Sequence, residues 1–159
     1  MRLERLEATQ RPEKLKAVFD GEVLTVSASL CVQFSLCAGM ELDEEAFSAL
    51  KAAVAKEAAR ERAVRILTAS AVSERELEKR LVQKGTLPAD AADAVAWLKE
   101  HRFLDDAATA AQLVDSAVRK GYGRARVKNI LYEKGIPKDL WDEALARIPA
   151  MDDAIDRFL

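Results

Sequence analysis

The chain has 159 residues, half of them apolar, and 25 Lys or Arg stand against 27 Asp or Glu for a net charge of −2. That composition suits an ordinary folded protein of one medium domain or two small ones, and the balanced total gives no argument for a polyanionic partner. No apolar run reaches the roughly 18 residues of a membrane span, and no basic-then-apolar leader follows Met1, so a cytoplasmic protein that does not engage a membrane is expected.

From Leu3 to Ala8 apolar and charged residues alternate, a weak strand signal. Lys14 to Phe19 is a stronger one, because Asp20-Gly21 is a hairpin-turn pair and Val23, Leu24, Thr25 and Val26 resume beyond it. A short antiparallel β meander is expected. Ser27 to Leu36 supports two readings: Leu30, Phe34 and Cys37 share a helical face, while Val32, Phe34 and Leu36 fit strand alternation. Gly39 is expected to end the segment either way. Cys31 and Cys37 read as two buried free thiols, since one histidine and no further cysteine cannot complete a metal set.

Asp43-Glu44-Glu45 opens a helix, with Asp43 as N-cap and acids at the positive end of the helix dipole. Neither Gly nor Pro occurs from there to Ala71, and two apolar stripes follow: Phe47, Leu50 and Val54, then Ala63, Ile66 and Leu67. The stretch is one long helix or two abutting ones. A domain boundary near Ala55 to Ala59 would fall inside helix, and residues 1–56 are assigned to a small N-terminal α+β region.

The remainder repeats. Residues 73–85 and 123–135 match at a shift of 50, which sets Leu77 on Val127, Leu81 on Leu131 and Lys84-Gly85 on Lys134-Gly135. Each copy is expected to be a short helix with its apolar residues four apart, ended by a glycine in the left-handed conformation. Ser73 caps the first, and Glu76 stands where the return partner of a capping box belongs. Pro88 starts a helix carrying Ala91, Ala94, Val95 and Leu98, with Trp97 beside that stripe. Leu104-Asp105-Asp106-Ala107 opens the next, through Leu113, Val114 and Val118. Gly121-Tyr122-Gly123 turns the chain, and Pro137 leads into Leu140, Trp141, Ala144, Leu145 and Ile148. The predicted fold is mainly α: three-helix units at 57–102 and 103–149, and a third unit begun over 150–159, where Met151-Asp152-Asp153-Ala154 echoes Leu104 to Ala107. Ile155, Phe158 and Leu159 would cover its apolar end.

Catalytic chemistry finds no support. His101 is the only histidine and has no nucleophile near it in the repeat plan, so neither an enzyme, nor a cofactor, nor a metal, nor a small-molecule substrate is expected. Asp105-Asp106 and Asp152-Asp153 stand at helix starts and read as caps rather than metal ligands. Charge is more informative. Residues 119–134 hold six basic side chains (Arg119, Lys120, Arg124, Arg126, Lys128 and Lys134) and one acid, Glu133. Arg124 and Lys128, four apart and placed opposite Val127 and Leu131, give a solvent-facing ridge. It is either a solvated face or a binding surface for phosphates or an acidic protein groove.

At these residues the chain resembles the RecX family, the small regulators of the RecA recombinase. The resemblance lies in Glu76-Leu77, Lys84-Gly85, Phe103-Leu104-Asp105-Asp106, and Lys120-Gly121-Tyr122-Gly123 followed by Val127, Leu131 and Lys134-Gly135-Ile136, and it covers about residues 57–159. Asp20-Gly21-Glu22 and the Leu36 to Leu42 segment are similar to the N-terminal region of longer members. The resemblance implies tandem three-helix repeats that lie in the groove of the RecA–DNA filament and inhibit its ATPase, strand-exchange and co-protease activities in DNA repair and the SOS response, with weaker affinity for single- or double-stranded DNA. By motif match the contact residues would be Lys120, Tyr122, Arg124, Arg126, Lys128 and Lys134, with Arg75, Lys79, Arg80 and Lys84 as counterparts in the first unit. Three departures stand beside it. Members commonly carry a full third repeat and a net positive charge, and Ala69-Ser70 occupies a place where the family usually has an arginine. The alternative expectation is an autonomous helical DNA-binding module with no recombinase partner.

Overall fold

The computed structural model describes residues 1–149, and the chain divides into two compact units, the first covering Met1–Ala58 and the second beginning at Ala59. In the first, strands β1 (Leu3–Ala8), β2 (Lys14–Phe19) and β3 (Glu22–Ser27) form an antiparallel sheet in chain order. Phe19 pairs with Glu22, so Asp20-Gly21 is a two-residue turn, and Gly21 takes the positive φ of 80° that such a turn requires. Leu3, Ala17, Phe19 and Val26 meet Leu36, Leu42, Phe47 and Leu50 in one buried core, where the Phe19 and Phe47 rings pack edge to face at 4.9 Å.

The ambiguous segment is helical. Helix α1 (Ala28–Gln33) starts because the Ser27 hydroxyl accepts the Leu30 N–H at 3.0 Å. Its end corrects the expectation for Gly39: the chain leaves the helix at Phe34, and Ser35 takes the left-handed conformation (φ 51°) while the Leu36 N–H bonds back to the Cys31 carbonyl at 2.9 Å. Gly39 instead donates its N–H to the Leu3 carbonyl at 2.7 Å, joining this loop to β1. The cysteines are also corrected. Both are free, but Cys31 is half-buried and Cys37 exposed, because the helix ends before Cys37 can join its buried face. Burial pushes the Cys31 thiol up from its ordinary value.

Between the two stated possibilities for residues 43–71, the structure has one helix. α2 (Glu44–Ala69) runs 26 residues without a breaker, and Asp43 Oδ1 caps it by accepting the Ala46 N–H at 2.7 Å. Phe47 and Leu50 belong to the first core; Ala59, Ala63 and Ile66 belong to the second unit.

In that unit the end of α2 packs with α3 (Glu74–Gln83) and α4 (Pro88–Glu100) around Leu77, Leu81, Ala94 and Leu98. Helix α5 (Asp106–Arg119), α6 (Arg124–Glu133), a 3-10 turn (Lys138–Leu140) and α7 (Trp141–Leu145) enclose Val114, Val127, Leu131, Ala144 and Leu145. The expected equivalences hold, since Leu77, Leu81, Val127 and Leu131 are all buried. So do the glycine stops. Gly85 and Gly135 have φ of 97° and 75°, and Thr86 and Ile136 donate to the carbonyls of Leu81 and Leu131, each at 3.0 Å, closing both helices with the same Schellman turn. The third helices differ, 13 residues in α4 against a 3-10 turn and five residues in α7. The expected start of a third unit, Met151 to Leu159, lies outside the described residues.

Candidate functional site

Helix α6 carries the basic cluster. Its buried residues Val127 and Leu131 seat it in the second three-helix core, and Gly121 (φ 79°) with the Tyr122 N–H bonded to the Ala117 carbonyl at 3.0 Å turns the chain into it. Arg124, Arg126 and Lys128 are exposed, as is Lys120 at the end of α5. At about 100° per residue, Arg124 and Lys128 border the Val127–Leu131 stripe rather than oppose it. Their length carries the charges to solvent all the same.

Tyr122 and Lys134 are less free than the ridge expectation supposes. The Arg126 guanidinium lies 3.7 Å from the Tyr122 ring centroid, so that half-buried ring already holds a cation on its face. Lys134 Nζ is 3.7 Å from Glu76 Oε1, and the Lys134 carbonyl accepts the Ser73 hydroxyl. Arg80 is tied to the same carboxylate oxygen at 2.7 Å and also donates to the Ser70 hydroxyl at 3.2 Å. Lys134 therefore serves the contact between the two three-helix units, while Arg80 is held within the first. Arg75, Lys79 and Lys84 are exposed, but they share or flank a helix bearing Glu74, Glu76 and Glu78.

That contact has a polar centre which local pattern reading missed. Ser73 accepts the Glu76 N–H at 3.1 Å as a cap should, yet the Glu76 carboxylate does not return to Ser73; it turns to Arg80 and Lys134. The free N–H of Glu74 is taken by Asp106 Oδ1 at 2.8 Å, from the start of α5. The two adjacent acids thus cap two different helices, since Asp105 Oδ1 accepts the Ala107 N–H of its own helix at 2.9 Å. Thr109 Oγ1 donates to the Val72 carbonyl at 3.3 Å. Burial pushes the Asp106 carboxyl up, the Glu74 N–H opposes that, and the Glu74 charge adds to it. Gly135 closes the contact, because a Cβ there would stand 3.1 Å from Ser73 Oγ, whereas one on Gly85 would meet open space.

An open cleft of about 590 Å³ lies beside this junction, lined by Glu74, Lys99, Arg102, Asp105, Asp106 and Asp139 among others. Its charges are of both signs and partly self-satisfied, as in the Lys99–Glu74 pair at 3.3 Å. His101 sits at the end of α4, exposed, with a ring nitrogen 2.9 Å from the Trp97 carbonyl. Among the described residues no group of three His, Cys, Asp or Glu side chains is placed to hold a metal ion, and no helix is long and apolar enough to cross a membrane.

One further side chain belongs with the ridge. Tyr132 follows Lys128 by four residues and is 74% exposed, the more accessible of the two tyrosines. Its spacing from Arg124 and Lys128 was the available signal.

Family models describing the first and second three-helix domains of RecX match residues 59–98 and 105–145, together half of the chain. A regulatory protein RecX of Shigella dysenteriae is 38% identical over 95 residues, which is 54% of this chain and 57% of that protein. One from Cronobacter sakazakii is 36% identical over 96 residues, 54% of this chain and 58% of that protein. The aligned part of the chain therefore spans somewhat over half the length of these curated relatives. A solved structure described as regulatory protein RecX superposes with a TM-score of 0.78 at 26% identity, covering 97% of this chain and 77% of that one.

Proposed function

Since the chain belongs to the RecX family, we propose that it regulates a RecA-type recombinase in the cytoplasm by lying along the recombinase–DNA filament. In that position it lowers ATPase, strand-exchange and co-protease activity, and so moderates DNA repair and the SOS response. The mechanism is binding rather than chemistry. Stacked three-helix units present a long surface, and such surfaces suit the groove of a helical polymer. The observation that carries the reading is the exposed basic face of α6, where Arg124, Arg126 and Lys128 stand free of ion pairs among the described residues while the corresponding helix α3 is offset by its own acids. Lys120 extends that face, and Arg75, Lys79 and Lys84 form a weaker second one.

The test is recombinase ATPase on single-stranded DNA, titrated with the protein and with two charge reversals. Arg124→Glu with Lys128→Glu is expected to raise the half-inhibitory concentration at least about tenfold. Arg75→Glu with Lys79→Glu is expected to raise it by less than about threefold. Both should leave unfolding free energy within about 0.5 kcal/mol, as for surface substitutions generally. Full inhibition by the α6 variant would remove the reading.

The same basic face also favours a second reading, an autonomous DNA-binding module. Strongly salt-dependent binding to bare DNA, with no effect on recombinase ATPase, would select it.

A further inference from the structure

Tyr132 is an aromatic ring left in water on a helix that also exposes Arg124, Arg126 and Lys128. It is 74% exposed, and among the described residues its hydroxyl has no hydrogen-bond partner. An i to i+4 step places Lys128 one turn before it and Arg124 two turns before it, each step rising about 6 Å along α6 with a drift of about 40° around it. The three side chains therefore form one slanting line, with the ring beyond the two charges. The only acid of α6, Glu133, lies about 100° farther round the helix.

The other aromatic of this region cannot serve the same purpose, because the Tyr122 ring is half-buried and covered by Arg126 at 3.7 Å. The equivalent of Tyr132 in the first unit, at the shift of 50, is Val82. That position is exposed too, at 42%, but it offers no π face and follows Glu78 where Tyr132 follows Lys128. An open ring next to exposed cations is the combination that single-stranded nucleic acid takes: bases stack on the ring and the backbone tracks the charges. A duplex keeps its bases stacked on one another and would use only the charges.

We propose that Tyr132 is a stacking platform for bases of single-stranded nucleic acid, with Lys128 and Arg124 holding the adjoining phosphates. The inference rests on the reading of α6 as a contact face, but it does not require the recombinase.

The test is fluorescence anisotropy of a labelled oligothymidylate and of a labelled duplex, with the full chain and with Tyr132→Ala, Tyr132→Phe and Lys128→Ala. Tyr132→Ala should weaken single-strand binding about 5- to 100-fold, Tyr132→Phe less than about threefold, and neither should change duplex binding. The salt slope should stay unchanged in Tyr132→Ala and fall by roughly 0.7 in Lys128→Ala, one phosphate being lost. Wild-type affinity of Tyr132→Ala for the oligothymidylate would overturn the proposal, as would equal loss on the duplex, failure of Tyr132→Phe to retain binding, or no binding by the unaltered chain. Loss of recombinase inhibition by Tyr132→Ala at unchanged single-strand affinity would make Tyr132 a protein contact and overturn it also. If the unaltered chain fails to inhibit the recombinase while the single-strand effects appear as expected, the stacking site stands and the recombinase reading falls.

Discussion

Helices α3 and α6 are built to one plan and put to different uses. Both have ten residues, both bury two apolar side chains four apart, and both end in Lys-Gly with a Schellman turn. In α3 the remaining surface is self-neutralising, and its start is bound to the second three-helix unit: Glu74 N–H on Asp106, the Ser73 hydroxyl on the Lys134 carbonyl, and Glu76, already paired with Arg80, on Lys134. In α6 the start is a bare Gly123 with no side-chain cap, and the outer face carries cations and an open tyrosine. One copy is tied into the array at its start, while the other leaves Arg124, Lys128 and Tyr132 exposed.

If that division is right, the largest stability effect should come from the one motif residue that serves as both helix stop and packing surface. Gly135→Ala pays for a left-handed Cβ and also pushes on Ser73, so a loss of about 2–3 kcal/mol is expected, against about 1 kcal/mol for Gly85→Ala, which meets open space. Both tryptophans, Trp97 and Trp141, lie in the second unit, so denaturant unfolding followed by tryptophan fluorescence reads that unit directly. Equal losses would mean that Gly135 is merely a helix stop.

A smaller effect is expected at the acid that links the copies. Asp106→Ala should cost about 1–2 kcal/mol by leaving the Glu74 N–H without its cap, while Asp106→Asn, which keeps an acceptor, should recover most of that. Indistinguishable stabilities for the Ala and Asn variants would remove Asp106 as a cap of α3.

The smallest effect is a pH dependence. The folded pKa of Asp106 is raised above its unfolded value, so the folded state binds the proton more readily, and this group's contribution favours folding as pH falls through the raised pKa toward the unfolded one. Asp106→Asn lacks that contribution. The stability of the unaltered chain relative to Asp106→Asn should therefore rise as pH is lowered through the acid range, and a difference that stays flat would contradict the direction of the shift.

Much of the architecture was legible because its causes are local. Asp20-Gly21 marks a hairpin by turn chemistry alone, Asp43 and Ser73 mark helix starts by their side-chain oxygens, and a 50-residue shift that matches Leu81 to Leu131 and Gly85 to Gly135 discloses the repeat. Where apolar periodicity fits two readings, the hydrogen bond of the Ser27 hydroxyl with the Leu30 N–H decided. Residues 28–33 became a helix and not a strand, Ser35 rather than Gly39 ended it, and Cys37 fell outside the buried face.

For the candidate surface, composition located the basic stretch but could not say which of its charges are available. Lys134 and Arg80 look equivalent to Lys128 in sequence, yet both are bound to Glu76, a residue 58 positions before Lys134. Tyr122 looked like the aromatic of the cluster, but Arg126 covers it and Tyr132 is the open ring.

By itself, then, the sequence determined most of the elements, because caps, turns and apolar periodicity act over three to five residues, and the recurrence of those signals at a shift of 50 disclosed the repeat. Tertiary structure alone decided which polar groups are spent inside. Asp106 caps a helix that begins 32 positions before it, and Glu76 gathers cations from both copies. A buried donor or acceptor must find its partner wherever the fold brings one within about 3 Å, and no local pattern records that distance.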